Sequence, residues 1–423
     1  MPKEQEHEPL VHQGRKLELA RLDGSRRAWD AADRHVLAHL EAELGEPGQV
    51  LLVDDPCGAL VVALHHLRPF HLSDSVLSQR TARHNLAANG LDVEAVRFFP
   101  STALLPGAPP PRHPVLSARR DASAGTPSLA QRESPTSLPQ RDRHATLPKC
   151  DVVLLRVPRS VALLRYYINA LKPFLSPAAR FIAYGMTRHM SPRLREIFAT
   201  DLGPVRVSPV RQKSILFHVD VQNLEVDPKA IAPQHYRLPE DAFPIGNPQG
   251  LEIWSYPGVF SQEHLDLGTR LLLSNLPATP PEKTVVDLGC GAGVLGLVLA
   301  QRGEHIKLLL VDDSYLAVRS AEETFHRNGV AAEIRADDGL TEVDPGSVAV
   351  VVSNPPIHDG GAFVIEETVR LLQQARTALE PGGTLRVVAV HGANLGPILQ
   401  TMFPRVTRVA SDRRFTVWNA RAH

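Results

Sequence analysis

Two short segments carry residue types and spacings that could act on one small molecule together. Asp287-Leu288-Gly289-Cys290-Gly291-Ala292-Gly293 sets a carboxylate just ahead of three alternating glycines. Val350–Gly361 reads VVVSNPPIHDGG, a valine run that ends in the amide Asn354 and the prolines Pro355 and Pro356. Glycines let a backbone approach a ligand that a Cβ would exclude. The Asn354 side-chain oxygen and the Pro355 carbonyl are two neutral acceptors, and the prolines fix the carbonyl's direction. Aimed at the hydrogens of a planar NH2, such a pair would hold the nitrogen and favour the pyramidal form it takes as it attacks an electrophile. Neither acceptor need be a strong base, because the proton can leave after the new bond has formed.

The spacing DxGxGxG, rather than GxGxxG, points to S-adenosylmethionine and not to a dinucleotide. Asp287 would repel a pyrophosphate but suits the cationic end of a methionine moiety. Asp312 ends the next strand, where a carboxylate can accept both ribose hydroxyls. Asp337 or Asp338, after Glu333–Ala336, is placed to reach an adenine amine. The cofactor set is therefore Asp287, Gly289, Gly291, Gly293, Asp312, Asp337, Asp338 and Asn354. Asn354, Pro355 and Pro356 form the catalytic set. Phe260, Ile357 and His358 are candidates for the substrate wall.

The elements that position these residues alternate. Lys283–Leu288 reads as a strand, Val294–Gln301 as a helix, Ile306–Val311 as a strand and Ser314–Arg327 as a helix closed by Asn328-Gly329. Val348–Val352 and Leu385–Val390 are further strands, with helix Glu366–Leu379 between them and a break at Glu380-Pro381-Gly382-Gly383. Alternation of this kind gives a mostly parallel sheet with helices on both faces. Such sheets bind ligands at the carboxyl ends of their strands.

The first half carries a faint copy. Val50–Leu64 lies over Thr284–Leu299, which puts Pro56 and Leu60 at the places of Gly289 and Gly293. Ser73–Leu91 lies over Asp312–Val330 without a gap, and Asp151–Ser160 over Ala349–His358. Ser73 then replaces Asp312, and Arg156-Val157-Pro158 replaces Asn354-Pro355-Pro356. The reading is an internal duplication whose first member keeps the fold and has lost the chemistry. It makes the protein α/β, with two tandem Rossmann-like domains, doubly wound on mostly parallel sheets. Residues 1–226 form the degenerate domain, 227–250 a linker and 251–423 the catalytic domain. Residues 106–148, rich in Pro, Ser and Arg, read as a disordered insert.

Lys+Arg and Asp+Glu both number 46, so bulk charge would not hold this chain on nucleic acid, although a local basic face could. Arg156, Arg159, Arg165, Lys172, Arg188, Arg193, Arg195, Arg211 and Lys213 are the candidates for such a face. Cys57, Cys150 and Cys290 form no metal-binding spacing, and no metal is expected. With a polar N-terminus and no long apolar run, the expectation is a cytoplasmic protein without membrane contact. A monomer suits an internally duplicated chain.

Asp287–Gly293 with Asn354–His358 resembles the class I methyltransferases that modify exocyclic amines. The chain is more similar still to the bacterial ribosomal RNA guanine-N2 methyltransferases of the RsmC/RlmG type. Tyr256–Leu273 (YPGVFSQEHLDLGTRLLL), SNPPIH and the degenerate first copy carry that resemblance. Arg26–Leu40 and Arg413–Ala422 are closer to the RlmG branch, which acts on large-subunit RNA. The resemblance implies methyl transfer from S-adenosylmethionine to a guanine amine, with ribosomal RNA as partner. It also marks a departure, because the family usually carries an aromatic residue after the double proline and this chain has Ile357. Other readings of the same residues are methylation of adenine N6 or of a protein glutamine amide, and a non-catalytic RNA-binding or assembly factor.

Overall fold

The computed structural model describes residues 9–23, 28–43, 48–106, 147–239, 250–302, 305–356 and 362–422. The greater part of the 106–148 insert, the end of the 227–250 linker, and both Ile357 and His358 lie outside the described residues.

A hairpin, β1 (Leu10–His12) and β2 (Arg15–Leu17), leads into helix α1 (Ala31–Glu43). The first half then runs β3 (Val50–Val53), α2 (Ala59–Ala63), β4 (Phe70–Ser73), α3 (Val76–Ala88), β5 (Arg97–Pro100), β6 (Cys150–Arg156), α4 (Val161–Leu171), β7 (Leu175–Met186), α5 (Pro192–Asp201), β8 (Val205–Val207) and β9 (Ser214–Asp220). Two elements fall in the 227–250 stretch, α6 (Pro228–Ile231) and β10 (Gln234–Arg237). β10 pairs antiparallel with β11 (Glu252–Ser255), so this stretch is an ordered bracket as far as it is described. The second half continues through α7 (Leu267–Leu273), β12 (Thr284–Leu288), α8 (Val294–Gln301), β13 (Lys307–Asp312), α9 (Tyr315–Arg327), β14 (Glu333–Ala336), β15 (Val348–Ser353), α10 (Ala362–Ala378), β16 (Leu379–Val390), α11 (Leu395–Met402), β17 (Arg405–Ser411) and β18 (Phe415–Arg421).

Each half builds a 7-stranded sheet, ordered β5-β4-β3-β6-β7-β9-β8 in the first and β14-β13-β12-β15-β16-β18-β17 in the second. Six strands of each sheet run in one direction, and only the next-to-edge strand, β9 or β18, runs against them. β15 (VAVVVS) is buried along its whole length, as a central strand covered on both faces must be. The break foreseen at Glu380–Gly383 is instead the bulged start of β16, with Gly382 at φ 78°. β7 carries the matching irregularity opposite Cys150 and Val152.

The sheets correct the overlay read from the sequence. Val53 pairs with Leu72 as Leu288 pairs with Val311, so Leu52 stands at the place of Asp287 and Asp54 at the place of Gly289. The counterpart of Gly293 is Gly58: both are left-handed, at φ 81° and 68°, and both open a helix. Hydrophobic similarity alone had slid the two turns past each other, whereas strand pairing fixes their register. One continuous apolar cluster runs through both halves, taking in Leu51 and Phe181 from the first and Leu310 and Phe325 from the second.

Candidate functional site

A cavity of about 940 Å³ opens at the carboxyl ends of β12, β13 and β15. Its floor is the Gly-rich turn after β12. A Cβ built on Gly289 or Gly291 meets nothing within 4 Å, and both residues have positive φ. Their missing side chains therefore leave room for a ligand against bare backbone. Gly293 serves differently, since its Cβ would meet Leu310, Phe325 and Ala321 at 3.1–3.2 Å. It packs α8 on the sheet and does not line the cavity.

Asp312 holds this turn from the side. Its Oδ2 accepts the Gly291 amide at 2.8 Å and its Oδ1 accepts the Ser314 amide at 2.9 Å. Burial pushes its pKa up, against the pull of these amides. Asp287 lies beneath the turn, fully buried and outside the cavity lining. Its Oδ2 accepts the Gly296 amide at 2.8 Å, while Oδ1 has no hydrogen-bond partner among the described residues. Burial raises its pKa to about 7. Of the two acids offered for adenine, Asp338 lines the cavity, ion-paired with Arg370 at 2.6 Å. Asp337 turns the other way, to Arg80 of the first half at 2.7 Å.

Asn354, Pro355 and Pro356 line the opposite wall. The Asn354 Nδ2 donates to Thr269 Oγ1 at 2.9 Å and to Asp266 Oδ2 at 3.2 Å. The amide nitrogen is therefore the atom turned to Asp266 and Thr269, and neither of these contacts uses the amide oxygen of this cavity-lining residue. Asp266 is itself fixed as the N-cap of α7, accepting the Thr269 amide at 2.9 Å. Sequence reasoning assigned no role to Asp266 or Thr269. The available signal was an Asp-x-x-Thr pair opening the apolar run LGTRLLL. Phe260, 62% exposed, lines the same cavity.

The first half shows what became of its own pocket. Asp54, at the place of Gly289 with φ 55°, accepts the Tyr167 hydroxyl at 2.7 Å. Arg156, at the place of Asn354, is ion-paired with Asp33 at 2.6 Å and with Asp30 at the start of α1. Asp55 caps Val61 at 3.0 Å, as Asp287 caps Gly296. Side chains thus occupy the space that glycines leave open in the second half. Arg156 is therefore not a surface contact for nucleic acid, and neither is Lys172, which is buried and donates to Asn169 and to the Glu225 carbonyl. Arg159 is exposed and reaches the cavity rim. Among the described residues no cluster of His, Cys, Asp and Glu is arranged to hold a metal, and no helix is long and apolar enough to cross a membrane.

Residues 250–419 match the Methyltransferase small domain, and residues 7–111 and 129–223 match the RLMG N-terminal domain. The chain is 36% identical over 405 residues to the ribosomal RNA large subunit methyltransferase G of Streptomyces griseus, covering 93% of each chain. It is 33% identical over 398 residues to the protein of that name from Ectopseudomonas mendocina, again covering 93% of each. Among solved structures, the T. thermophilus 16S rRNA N2 methyltransferase RsmC, in complex with AdoMet and guanosine, superposes with a TM-score of 0.70 at 21% identity, covering 98% of each chain. The doubled sheet, the Gly-rich turn and the Asn-Pro-Pro strand end define a two-domain methyltransferase of the α/β class. Within that class, the chain belongs to the ribosomal RNA large subunit methyltransferase G family.

Proposed function

We propose that this protein methylates the exocyclic N2 amine of a guanine in large-subunit ribosomal RNA, using S-adenosylmethionine. The observation that carries the reading is the orientation of Asn354: its nitrogen is tied to Thr269 and Asp266, which leaves its oxygen toward a cavity floored by Gly289 and Gly291. The residues fit the cofactor, because the two glycines leave open space beside the Asp312 carboxylate. When bound, the cofactor supplies an electrophilic methyl group. Gly289 and Gly291 admit it against bare backbone, Asp312 accepts from its ribose, Asp338 stands at the adenine end, and Asp287 acts from below by fixing the turn.

Asn354 Oδ1 and the Pro355 carbonyl accept the two amine hydrogens. They hold the nitrogen in line and stabilise positive charge as it develops there. Phe260 offers an exposed ring on which a base taken out of its stack can lie. Ile357 and His358 keep their proposed place beside that base. The degenerate domain (1–226), the linker (227–250) and the catalytic domain (251–423) act together as a cytoplasmic monomer, with Arg159 at the rim meeting RNA phosphate.

The test is incubation of the full chain with labelled S-adenosylmethionine and undermethylated ribosomal RNA. Label is expected in guanosine of the large-subunit RNA. Label in adenosine or in protein would replace the proposed substrate, and RNA binding without turnover would replace the enzyme with a binding factor. Affinity for the RNA should fall steeply with salt, because phosphate contacts release counterions.

A further inference from the structure

The two halves meet at the starts of α3 and α9, and they meet reciprocally. Ser75 caps α3 and Ser314 caps α9, each accepting an amide of its own helix at 2.9–3.0 Å. The Val76 amide donates across the boundary to the Asp313 carbonyl at 3.0 Å, and the Tyr315 amide donates back to the Asp74 carbonyl at 2.9 Å. The Leu77 amide reaches the Asp313 carboxylate at 2.7 Å, and the Leu316 amide reaches the Asp74 carboxylate at 3.0 Å. The Ser314 hydroxyl donates to Asp74 Oδ2 at 2.6 Å, and Ser75 bonds Asp313 in the same way. Each half thus supplies the acid that caps the other's helix.

The consequences differ on the two sides. Beside Asp74 lies the turn that carries Asp312, whose carboxylate is set by the Ser314 amide. Asp313 caps α3, whose preceding turn carries Ser73, in a half where Asp54 and Arg156 stand at the places of Gly289 and Asn354. Asp74 and Asp313 both line the cavity, so the two sides differ in which turn each acid caps and not in exposure to the cavity. A second contact points the same way: Arg80 of α3 bridges to Asp337, Thr341 and Glu342 in the turn after β14, whereas its counterpart Arg319 pairs with Glu322 and Glu323 of its own helix.

We infer that Asp74 is a positioning residue of the cofactor pocket: the half without chemistry supplies the carboxylate that holds the Asp312–Leu316 turn in its ribose-accepting form. Without that carboxylate the Leu316 amide, bonded to Oδ1, and the Ser314 hydroxyl, bonded to Oδ2, cannot both keep an acceptor. The turn must then shift to find another. Asp312 moves with it, because its Oδ1 is tied to the same turn. The inference rests on the reading of Asp312 as the ribose carboxylate.

The experiment titrates full-length variants with S-adenosylhomocysteine and with its 2′-deoxyribose analogue by calorimetry, and melts each variant. Asp74→Asn is expected to weaken binding of the ribose form about tenfold while changing the deoxy form much less. Ser75→Ala, which removes the cap of α3 on the other side of the junction, should lower the melting temperature and leave both affinities within about twofold. Equal weakening by Ser75→Ala, or unchanged binding by Asp74→Asn, overturns the inference. If Asp74→Asn does not fold, Asp74→Glu keeps the charge, displaces it by one methylene, and should narrow the same ribose preference; an unchanged preference overturns the inference equally. Asp312→Ala separates the two claims. If it retains full ribose preference, the Asp312 reading fails and takes the inference with it. If it loses that preference while Asp74→Asn does not, only the inference fails.

Discussion

Asn354 and Arg156 occupy the same place in two copies of one fold, and each is anchored to the helix start beside it. Arg156 closes its pocket with an ion pair to Asp30 and Asp33. Asn354 is held by Asp266 and Thr269 through its nitrogen alone, which frees its oxygen. Asn354→Ala is therefore expected to lower kcat by two to three orders of magnitude, about the cost of one oriented transition-state partner, and to leave cofactor affinity nearly intact. Parallel loss of cofactor binding in a calorimetric titration would refute that role. Asp266→Ala keeps the amide but not its orientation. A smaller fall in kcat is expected, without change in cofactor affinity, and wild-type kcat would show that the amide needs no anchor. Asp287 adds a pH dependence. Its pKa stands at about 7 in the free protein, and the ionised form suits a cationic ligand. Affinity for S-adenosylmethionine should therefore rise with pH through that value and level above it, as followed by titration across the range. A flat profile would remove Asp287 from the electrostatics of the site.

At the scale of elements, the β12–α8 turn divides its glycines between two tasks. Gly291 has φ 53° and open space where a Cβ would stand, whereas Gly293 has φ 81° and is walled by Leu310, Phe325 and Ala321. Each alanine substitution incurs left-handed strain of about 1–2 kcal/mol. Gly293→Ala adds crowding inside the core and should lower the melting temperature more. Gly291→Ala should fold nearly as well but bind cofactor poorly, because its methyl group enters the ligand's space. Thermal unfolding and cofactor titration on both variants give the two orders, and the same order in both measurements would mean the division is wrong. The counterpart Gly58 makes the comparison internal. It remains left-handed, and a Cβ built on it would stand 2.6 Å from Ala82, although Asp54 takes the place of Gly289 in its half. The helix-packing glycine was kept where the ligand glycine was replaced by Asp54.

For the whole molecule, the buried acids dominate. Asp55, Asp74, Asp287 and Asp313 are each pushed up to about 7, and Asp54 to about 6, chiefly by burial. A folded pKa above the unfolded value means the folded state binds the extra proton, so this contribution is complete at low pH and is lost as pH rises through the folded pKa. Histidines oppose it lower down: His71 is depressed to about 4 by burial, and His12, His35 and His189 are lowered too. Their contribution grows with pH and is complete by about 6.5, the unfolded histidine value. Between about pH 6.5 and 8 the acids alone remain, and the melting temperature of the cofactor-free protein should fall across that window. A rising melting temperature there would contradict the protonation assigned to these acids. Asp74 and Asp313 link the trend to the junction between the halves, where each caps the other's helix.

The sequence by itself determined the alternation of strands and helices from Lys283 to Val390, the duplication, the Gly-rich turn and the Asn-Pro-Pro strand end, because each is written in apolar patterning or in residues that constrain their own backbone. It could not separate Asp337 from Asp338, which are adjacent in the chain and face opposite ways because each meets a different arginine. Nor could it place Asp266 beside Asn354, or Asp74 beside Ser314, since those contacts join residues far apart in sequence. The register of the two Gly-rich turns was also settled by strand pairing, as similar apolar runs can slide over one another without cost in an alignment but not in a hydrogen-bonded sheet. Tertiary packing alone decided which acids point at the cavity and which hold the molecule together, for an aspartate's role is set by the donors that surround its oxygens.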